Sequence, residues 1–253
     1  MYKILANTLF FGKNVVFVPE CHSTSTLLVE LSQKTNQPEG TIVITNSQTR
    51  GRGQRGNSWE AEPGKNLTFS LLLKPHFMLA KQQFDLTMAV SLGVFDYLIE
   101  RIPTRVKIKW PNDLLIGEKK ISGILIENGL VGEQIQQSIV GIGLNINQYL
   151  FSIDTATSLK LETGLDFINS DELSALLQKL ETRYLQLRAE KVVDLRAAYL
   201  KNLYRIGEER LFLANDQQIR GRIEGVDESG RLKIHSDGID QFFSLKEISF
   251  AHE

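Results

Sequence analysis

Two short segments carry most of the chemistry that residue type and spacing offer in this chain. The first runs Gln48-Thr49-Arg50-Gly51-Arg52-Gly53-Gln54-Arg55-Gly56-Asn57-Ser58-Trp59 and holds three arginines within six residues. Glycines let backbone N–H groups close on an anion, and guanidinium forks match carboxylate and phosphate oxygens. The Trp59 indole offers an apolar wall beside them. The second, Lys109-Trp110-Pro111-Asn112-Asp113, sets a cation and a carboxylate on either side of a Trp-Pro corner. Mg²⁺ is commonly held by one carboxylate plus phosphate oxygens, which makes Asp113 the candidate metal ligand and Asn112 a group able to orient it. An Asx-turn after Pro111 explains the same pair equally well. Together the segments suit a ligand that mixes carboxylate and phosphate, as in activation of an acid by ATP.

Two further stretches repeat the theme. Lys119-Lys120-Ile121-Ser122-Gly123 lies where a hairpin turns back into a strand. Two exposed turn lysines are the ordinary case; the functional one has Lys120 facing the anion and Gly123 admitting a ligand to the strand backbone. Gly141-Ile142-Gly143-Leu144-Asn145 places glycines in an apolar strand, then an amide able to pair with a purine edge. A bulge or close sheet packing also explains those glycines. Gly51 to Gly56 matches G-x-G-x-x-G, but five residues separate it from the strand end at Thr45 and no helix is expected after it. The dinucleotide fingerprint needs both, so that reading is rejected. No Walker A sequence is present, and the four histidines have no metal-ligand spacing.

These residues need elements to position them. Val15 to Val18 reads as a strand ended by Pro19, and the hydroxyls of residues 23–26 offer N-caps for a helix through Leu27, Leu28 and Leu31. Strands are expected at Thr41–Thr45 and Leu67–Leu73, the latter with Leu67, Phe69, Leu71 and Leu73 on one face. Helical periodicity covers Lys81–Arg101, Asp171–Arg188 (capped by Asn169 or Ser170) and Val192–Tyr204. A hairpin spans Leu114 to Ile126, and Ile139–Ile146 is a further strand. After Arg205 short strands alternate with polar turns, and about five of them suggest a small β-barrel. Its core would use Phe212, Ile219, Ile223, Val226, Leu232, Ile234, Phe242, Phe243 and Leu245. The expected class is α+β: a mixed sheet with flanking helices over residues 1–205, then a small barrel over 206–253.

With 253 residues the chain can bury a substantial core, and its net charge of −1 gives no basic field for wrapping nucleic acid. The single cysteine, Cys21, cannot form an internal disulfide, which fits a reducing compartment. No leader pattern and no membrane-length apolar run is seen, so a cytoplasmic protein is expected.

Taken together, Ser23-Thr24-Ser25, Gln48 to Trp59, Lys109 to Asp113, Lys120 to Glu127 and Gly141 to Asn145 resemble the biotin protein ligases, in order, over about residues 15–150. The resemblance implies a two-step ligase with ATP and biotin as substrates and Mg²⁺ as cofactor. Biotinyl-5′-AMP forms first, and a lysine of a biotin carboxyl carrier protein then displaces AMP. It implies a catalytic α+β unit followed by an SH3-like barrel. Ser23, Thr24, Ser25 and Gln48 would hold the ureido ring. Arg52, Gly53, Gln54 and Trp59 would close over the carboxylate and phosphate, and Lys120 would contact the reacting oxygens. Lys120 and Arg52 are thus the expected catalytic residues, with Gly123, Leu125, Gly141 and Gly143 lining the pocket. Arg55, Lys109, Asn112 and Asn145 would serve the nucleotide, and Asp113 the metal. Ser25 stands where many relatives carry Asn, and Gln54 where many carry Arg.

Two neighbouring readings remain. Repressor-type relatives carry an N-terminal helix-turn-helix, but about twenty residues precede Ser23, so no DNA partner is expected. Lipoate ligases share the architecture, but the Gly-Arg-Gly-Gln-Arg-Gly and Lys-Trp-Pro-Asn-Asp segments favour biotin. Bacterial relatives often dimerise through the sheet, so a homodimer remains an open expectation.

Overall fold

The computed structural model describes residues 7–103, 105–215 and 217–251, with the Arg55 side chain outside that description. The chain order is β1 (Val15–Cys21), α1 (Thr24–Lys34), β2 (Ile42–Gln48), β3 (Leu67–Leu73), α2 (Gln83–Ile99), β4 (Val106–Lys109), β5 (Asp113–Ile116), β6 (Lys119–Val131) and β7 (Gln134–Leu144). Helices α3 (Leu159–Thr163), α4 (Asn169–Arg188) and α5 (Val192–Lys201) follow. The first seven strands form one mixed sheet in the order β1-β2-β3-β7-β6-β5-β4. Only β1 and β2 pair in parallel; the other neighbours are antiparallel. The α+β expectation is met by this sheet and its helices.

Strand alternation decides what each face carries. Leu67, Phe69, Leu71 and Leu73 of β3 lie in the large core, together with Ile42, Ile44, Val140, Ile142 and Leu144 and side chains of α2, α4 and α5. On the other face Val43, Leu72 and Ile139 pack under Leu28 of α1 in a small separate cluster. Burying a leucine such as Leu28 contributes about 1.5–3 kcal/mol. Beyond that cluster the α1 face changes character. Ser70 and Thr68 succeed Leu72 along β3, and Gly141 and Gly143 succeed Ile139 along β7. On β6 their cross-strand partners are Leu125 and Gly123. That switch from large apolar to small residues leaves room above the sheet.

Several boundaries differ from the sequence reading. Strand β1 runs through Pro19, which an edge strand tolerates because the missing N–H can face outward. Ser23 is the N-cap of α1 by backbone, yet its own hydroxyl makes no capping hydrogen bond. The hydroxyls of Ser23, Thr24 and Ser25 are buried instead. Helix α4 starts two residues early, at Asn169 with Ile168 as N-cap, and the Asn169 side chain caps nothing: its Nδ2 donates to Gly64 O at 3.0 Å. Helix α3, only five residues long, gives too little periodicity to be legible.

The remaining strands, β8 (Glu209–Ala214), β9 (Gln217–Val226), β10 (Leu232–Ser236), β11 (Ile239–Phe243) and β12 (Ile248–Phe250), form a second, antiparallel sheet of five in the order β11-β10-β9-β8-β12. Phe212, Ile223, Val226, Leu232, Ile234 and Phe243 are buried as expected, and they join the large core of the first sheet. Phe242 is a correction: alternation along β11 turns it outward, 41% exposed, with Arg231 over its ring. Trp110 Nε1 donates to Gly230 O at 2.9 Å, tying the Trp-Pro corner to the second sheet.

Candidate active site

The small residues on the α1 face form the floor of a cleft of about 1070 Å³ that reaches from the N-terminus of α1 to the second sheet. Ser23, Thr24, Ser25, Gln48, Arg52, Gly53, Gln54, Trp59, Lys109, Asn112, Asp113, Lys120, Gly123 and Leu125 all line it. The glycines are there for space. A Cβ on Gly143 would stand 2.2 Å from Trp59 Cε2, and one on Gly123 would stand 3.2 Å from Trp59 Cζ3. The indole therefore lies against the strand backbones, which any side chain at Gly143 would forbid. Its Nε1 is buried with no hydrogen-bond partner among the described residues, an orphan donor that a ligand can satisfy.

One end of the cleft is polar and nearly uncharged. The Thr24 N–H donates to Gln48 Oε1 at 2.8 Å, and the Thr24 hydroxyl lies 3.2 Å from the same oxygen. Thr24 Oγ1 and Ser25 Oγ stand 2.8 and 2.9 Å from Ser70 Oγ. A Cβ on Gly141 would come within 2.8 Å of Ser25 Oγ, so Gly141 makes room for that hydroxyl. A dry pocket with a few placed polar groups is how proteins hold a compact, partly apolar ring.

The other end is charged. Lys120 Nζ is 2.7 Å from Asp113 Oδ1, and both side chains are about one-third exposed, at 38% and 32%. The backbone of Lys120 is held by Thr155 and Thr157, Lys120 N donating to Thr155 O at 2.7 Å and Thr157 N to Lys120 O at 2.9 Å. This fixes the strand end from which the amine reaches. The peptide bond between Trp110 and Pro111 is cis, which turns the chain sharply into Asn112. Asn112 is buried, and its Nδ2 donates to Ile124 O at 2.9 Å. Glu118 and Tyr204 also line this end. The Arg205 hydrogen bond, followed by that of Tyr204, holds the Glu118 carboxyl below its ordinary range, while burial pushes the Tyr204 phenol up.

The glycine-rich loop arches over the floor. No helix follows its glycines, only a single 3-10 turn at Gln54–Gly56, in keeping with rejection of the dinucleotide fingerprint. A lone antiparallel bridge joins Arg52 to Ser58. Arg52 forks onto Glu127 at 2.9 and 2.7 Å, and Gln54 Nε2 donates to Asn112 Oδ1 at 2.9 Å. One arm ties the loop to the sheet and the other to the Trp-Pro corner.

Two sequence candidates fall outside this grouping. Asn145 is buried and does not line the cleft; its Nδ2 donates to Thr157 O at 2.9 Å, leaving Oδ1 without a partner among the described residues. The Arg55 side chain lies outside the described residues. Ser70, Thr68, Glu127 and Tyr204 were missed. A serine inside the apolar run Leu67-Thr68-Phe69-Ser70-Leu71-Leu72-Leu73 was the available signal for Ser70, because a buried hydroxyl needs a partner. Phe212, Lys246 and Phe250, from the second sheet and its loops, line the far wall of the cleft. Cys21, half-buried, has its thiol pushed up by burial and is no activated nucleophile.

Among the described residues no three His, Cys, Asp or Glu side chains gather as a metal cage. The donor set does fit Mg²⁺ carried in with a nucleotide, which asks the protein for one or two carboxylates, and Asp113 supplies one. No helix among the described residues is long and apolar enough to cross a membrane.

A model of the biotin/lipoate A/B protein ligase family matches residues 18–145. The chain is 29% identical over 243 residues to the bifunctional ligase/repressor BirA of Bacillus subtilis (strain 168), covering 94% of this chain and 74% of that protein. It is 30% identical over 216 residues to the biotin–[acetyl-CoA-carboxylase] ligase of Paracoccus denitrificans, covering 82% of this chain and 89% of that one. Among solved structures, the biotin protein ligase from Aquifex aeolicus in complex with biotin and ATP matches with a TM-score of 0.79 and 28% identity, over 95% of this chain and 100% of that one. With the glycine floor, the neutral polar end and the Lys120–Asp113 end meeting in one cleft, this chain belongs to the biotin/lipoate A/B protein ligase family, as a biotin protein ligase.

Proposed function

We propose that this ligase joins biotin to a lysine of a biotin carboxyl carrier domain, through biotinyl-5′-AMP. The observation that carries the reading is the polarity of the cleft. A small neutral subsite at Thr24, Ser25 and Gln48 continues along a glycine floor to a cationic end at Lys120. That is the order of parts in biotin: ureido ring, apolar body, carboxylate.

In the first step a biotin carboxylate oxygen attacks the α-phosphorus of ATP, the bond to the β-phosphate oxygen breaks, and pyrophosphate leaves. In the second the lysine ε-amine attacks the anhydride carbonyl, loses a proton, and AMP leaves. Carboxylate and triphosphate repel each other, so fixed cations must bring them together. Lys120 does this at the carboxylate, and Arg52 does it from the loop after exchanging Glu127 for the ligand. Lys109, Asn112 and Arg55 serve the nucleotide side. Asp113 would hold Mg²⁺, which supplies charge neutralisation along the phosphates. Asn145 is assigned to the nucleotide as well, its Oδ1, partnerless among the described residues, being an acceptor for an adenine amino group. Trp59 and the loop keep water from the anhydride.

In this reading residues 1–205 are the catalytic unit and 206–253 an SH3-like barrel that closes the nucleotide end. The test is pyrophosphate release from ATP and Mg²⁺ with biotin present, then the mass of a carrier domain incubated with both. Biotin-dependent release and a mass gain of one biotinyl group are expected. Release with lipoate and none with biotin would overturn the assignment.

A further inference from the structure

The polar end of the cleft is a chain of four groups whose proton order follows atom by atom. The Thr24 backbone N–H donates to Gln48 Oε1 at 2.8 Å. An N–H has nothing to donate to on an amide NH₂, so this contact fixes how the Gln48 amide is turned. Oε1 only accepts. The Thr24 hydroxyl, 3.2 Å away, therefore places its single proton there. Thr24 Oγ1 then offers only lone pairs to Ser70 Oγ at 2.8 Å, and Ser70 must donate. Ser70 has now used its one proton. At the 2.9 Å contact with Ser25 it accepts, and Ser25 donates. The opposite order would leave Gln48 Oε1 facing Thr24 Oγ1 with no proton between two acceptors.

Ser25 Oγ thus enters the cleft with its proton turned away, into the sheet. Ser70 itself is fully buried and is not among the lining residues. Among the described residues Gln48 Nε2 makes no hydrogen bond, so the amide offers donors where the serine offers an acceptor.

We infer that Ser70 is a positioning residue for ligand recognition: by taking the Ser25 proton it leaves Ser25 Oγ an acceptor-only group, which reads a ring N–H of the bound ureido ligand. This rests on the proposed function, which puts the ureido ring of biotin at this end. The consequence is chemical selectivity. A ring oxygen in place of that N–H would meet lone pair against lone pair. Substituting Ser70 frees the Ser25 proton to turn toward the ligand and reverses the preference.

The test uses biotin and its two cyclic carbamate isomers, in each of which one ureido N–H is replaced by oxygen. Binding of each to the full-length protein is measured by calorimetry, with thermal unfolding as the check on fold. In Ser70→Ala, biotin affinity should fall by roughly two- to tenfold, as for loss of one neutral hydrogen bond. One carbamate isomer, and only one, should gain on biotin by about tenfold. Thr24→Val breaks the chain from its other end, letting Ser70 donate to Ser25, and should favour the same isomer. Ser70→Thr keeps the hydroxyl and should keep the wild-type preference. If Ser70→Ala and Thr24→Val weaken biotin and both isomers alike, the proton order is overturned and Ser70 only packs. Wild-type protein that neither binds biotin nor releases pyrophosphate with it overturns the proposed function, and this inference with it.

Discussion

Lys120 and Asp113 form a pair about one-third exposed at the charged end of the cleft. Exposed pairs contribute little to stability, so the value of this one lies in holding a cation where an anion is to be received. Lys120→Ala is expected to cut pyrophosphate release on the order of a hundredfold, as loss of a fixed stabilising charge does, with biotin affinity changed only a few-fold. Near-normal release would remove Lys120 from the chemistry. Gly143 tests the floor. With a Cβ 2.2 Å from Trp59 Cε2, Gly143→Ala must push the indole off the sheet at about 1–3 kcal/mol of strain. Biotin affinity should fall by roughly five- to 150-fold on that energy scale, and tryptophan fluorescence should shift. Unchanged affinity would mean the ring is not part of the pocket.

At the scale of elements, the glycine-rich loop is held by two arms of different kinds. The Arg52–Glu127 fork is exposed, at 44% and 37%, and contributes up to about 1 kcal/mol. It is easily exchanged for a ligand. The Gln54–Asn112 bond is neutral and reaches a buried partner. A charge-assisted bond there would contribute about 1.5–3 kcal/mol against roughly 1 for the neutral one. Gln54→Arg is therefore expected to hold the loop closed longer and to slow escape of pre-formed biotinyl-adenylate, followed by rapid filtration. Unchanged or faster escape with the fold intact would assign that role to another residue of the loop, and Arg55 is the next cation along it.

For the whole molecule, the question is how firmly the second sheet is fixed against the first. Gly230, in the turn between β9 and β10, packs tightly on α2: its φ is +90, and a Cβ there would lie 2.4 Å from Phe84 Cδ2. It also accepts the Trp110 indole hydrogen bond. Gly230→Ala should destabilise by about 1–3 kcal/mol, from strain at a left-handed position plus overpacking, and urea unfolding measures this. A change under about 0.5 kcal/mol, the ordinary surface range, would show that the contact yields freely. Glu118 and Arg205 form a second tie, between the β5–β6 turn and the start of the second sheet. The Glu118 pKa is lowered, so its contribution is complete above the ordinary glutamate value of about 4.3 and is lost as pH falls through the depressed value. Glu118→Gln should flatten the acid side of the stability profile below about pH 4. A parallel profile would mean that solvent screens the pair fully.

The sequence by itself determined what was local. Alternation in Leu67–Leu73 assigned the core face of β3, helical periodicity found α2, α4 and α5, and polar turns marked the strands after Arg205. Residue types singled out the arginine loop, because guanidinium groups set among glycines suit an anion, while the roles of Lys120, Asp113 and Gln48 came from the order of motifs shared with the biotin protein ligases. Only the tertiary structure decided how those groups meet. The hydroxyls of Thr24 and Ser25 read as helix caps, yet they turn to the sheet and meet Ser70, forty-five residues away from Ser25. Asn145 reads as an amide for a purine edge; in the fold it follows the end of β7, buried, with its Nδ2 donating to Thr157 O. Phe242 and Phe243 read alike until pairing in β11 assigned one of them to the core. Cross-strand register and the direction of each hydroxyl proton are set by neighbours distant in sequence, and no periodicity within a single segment encodes them.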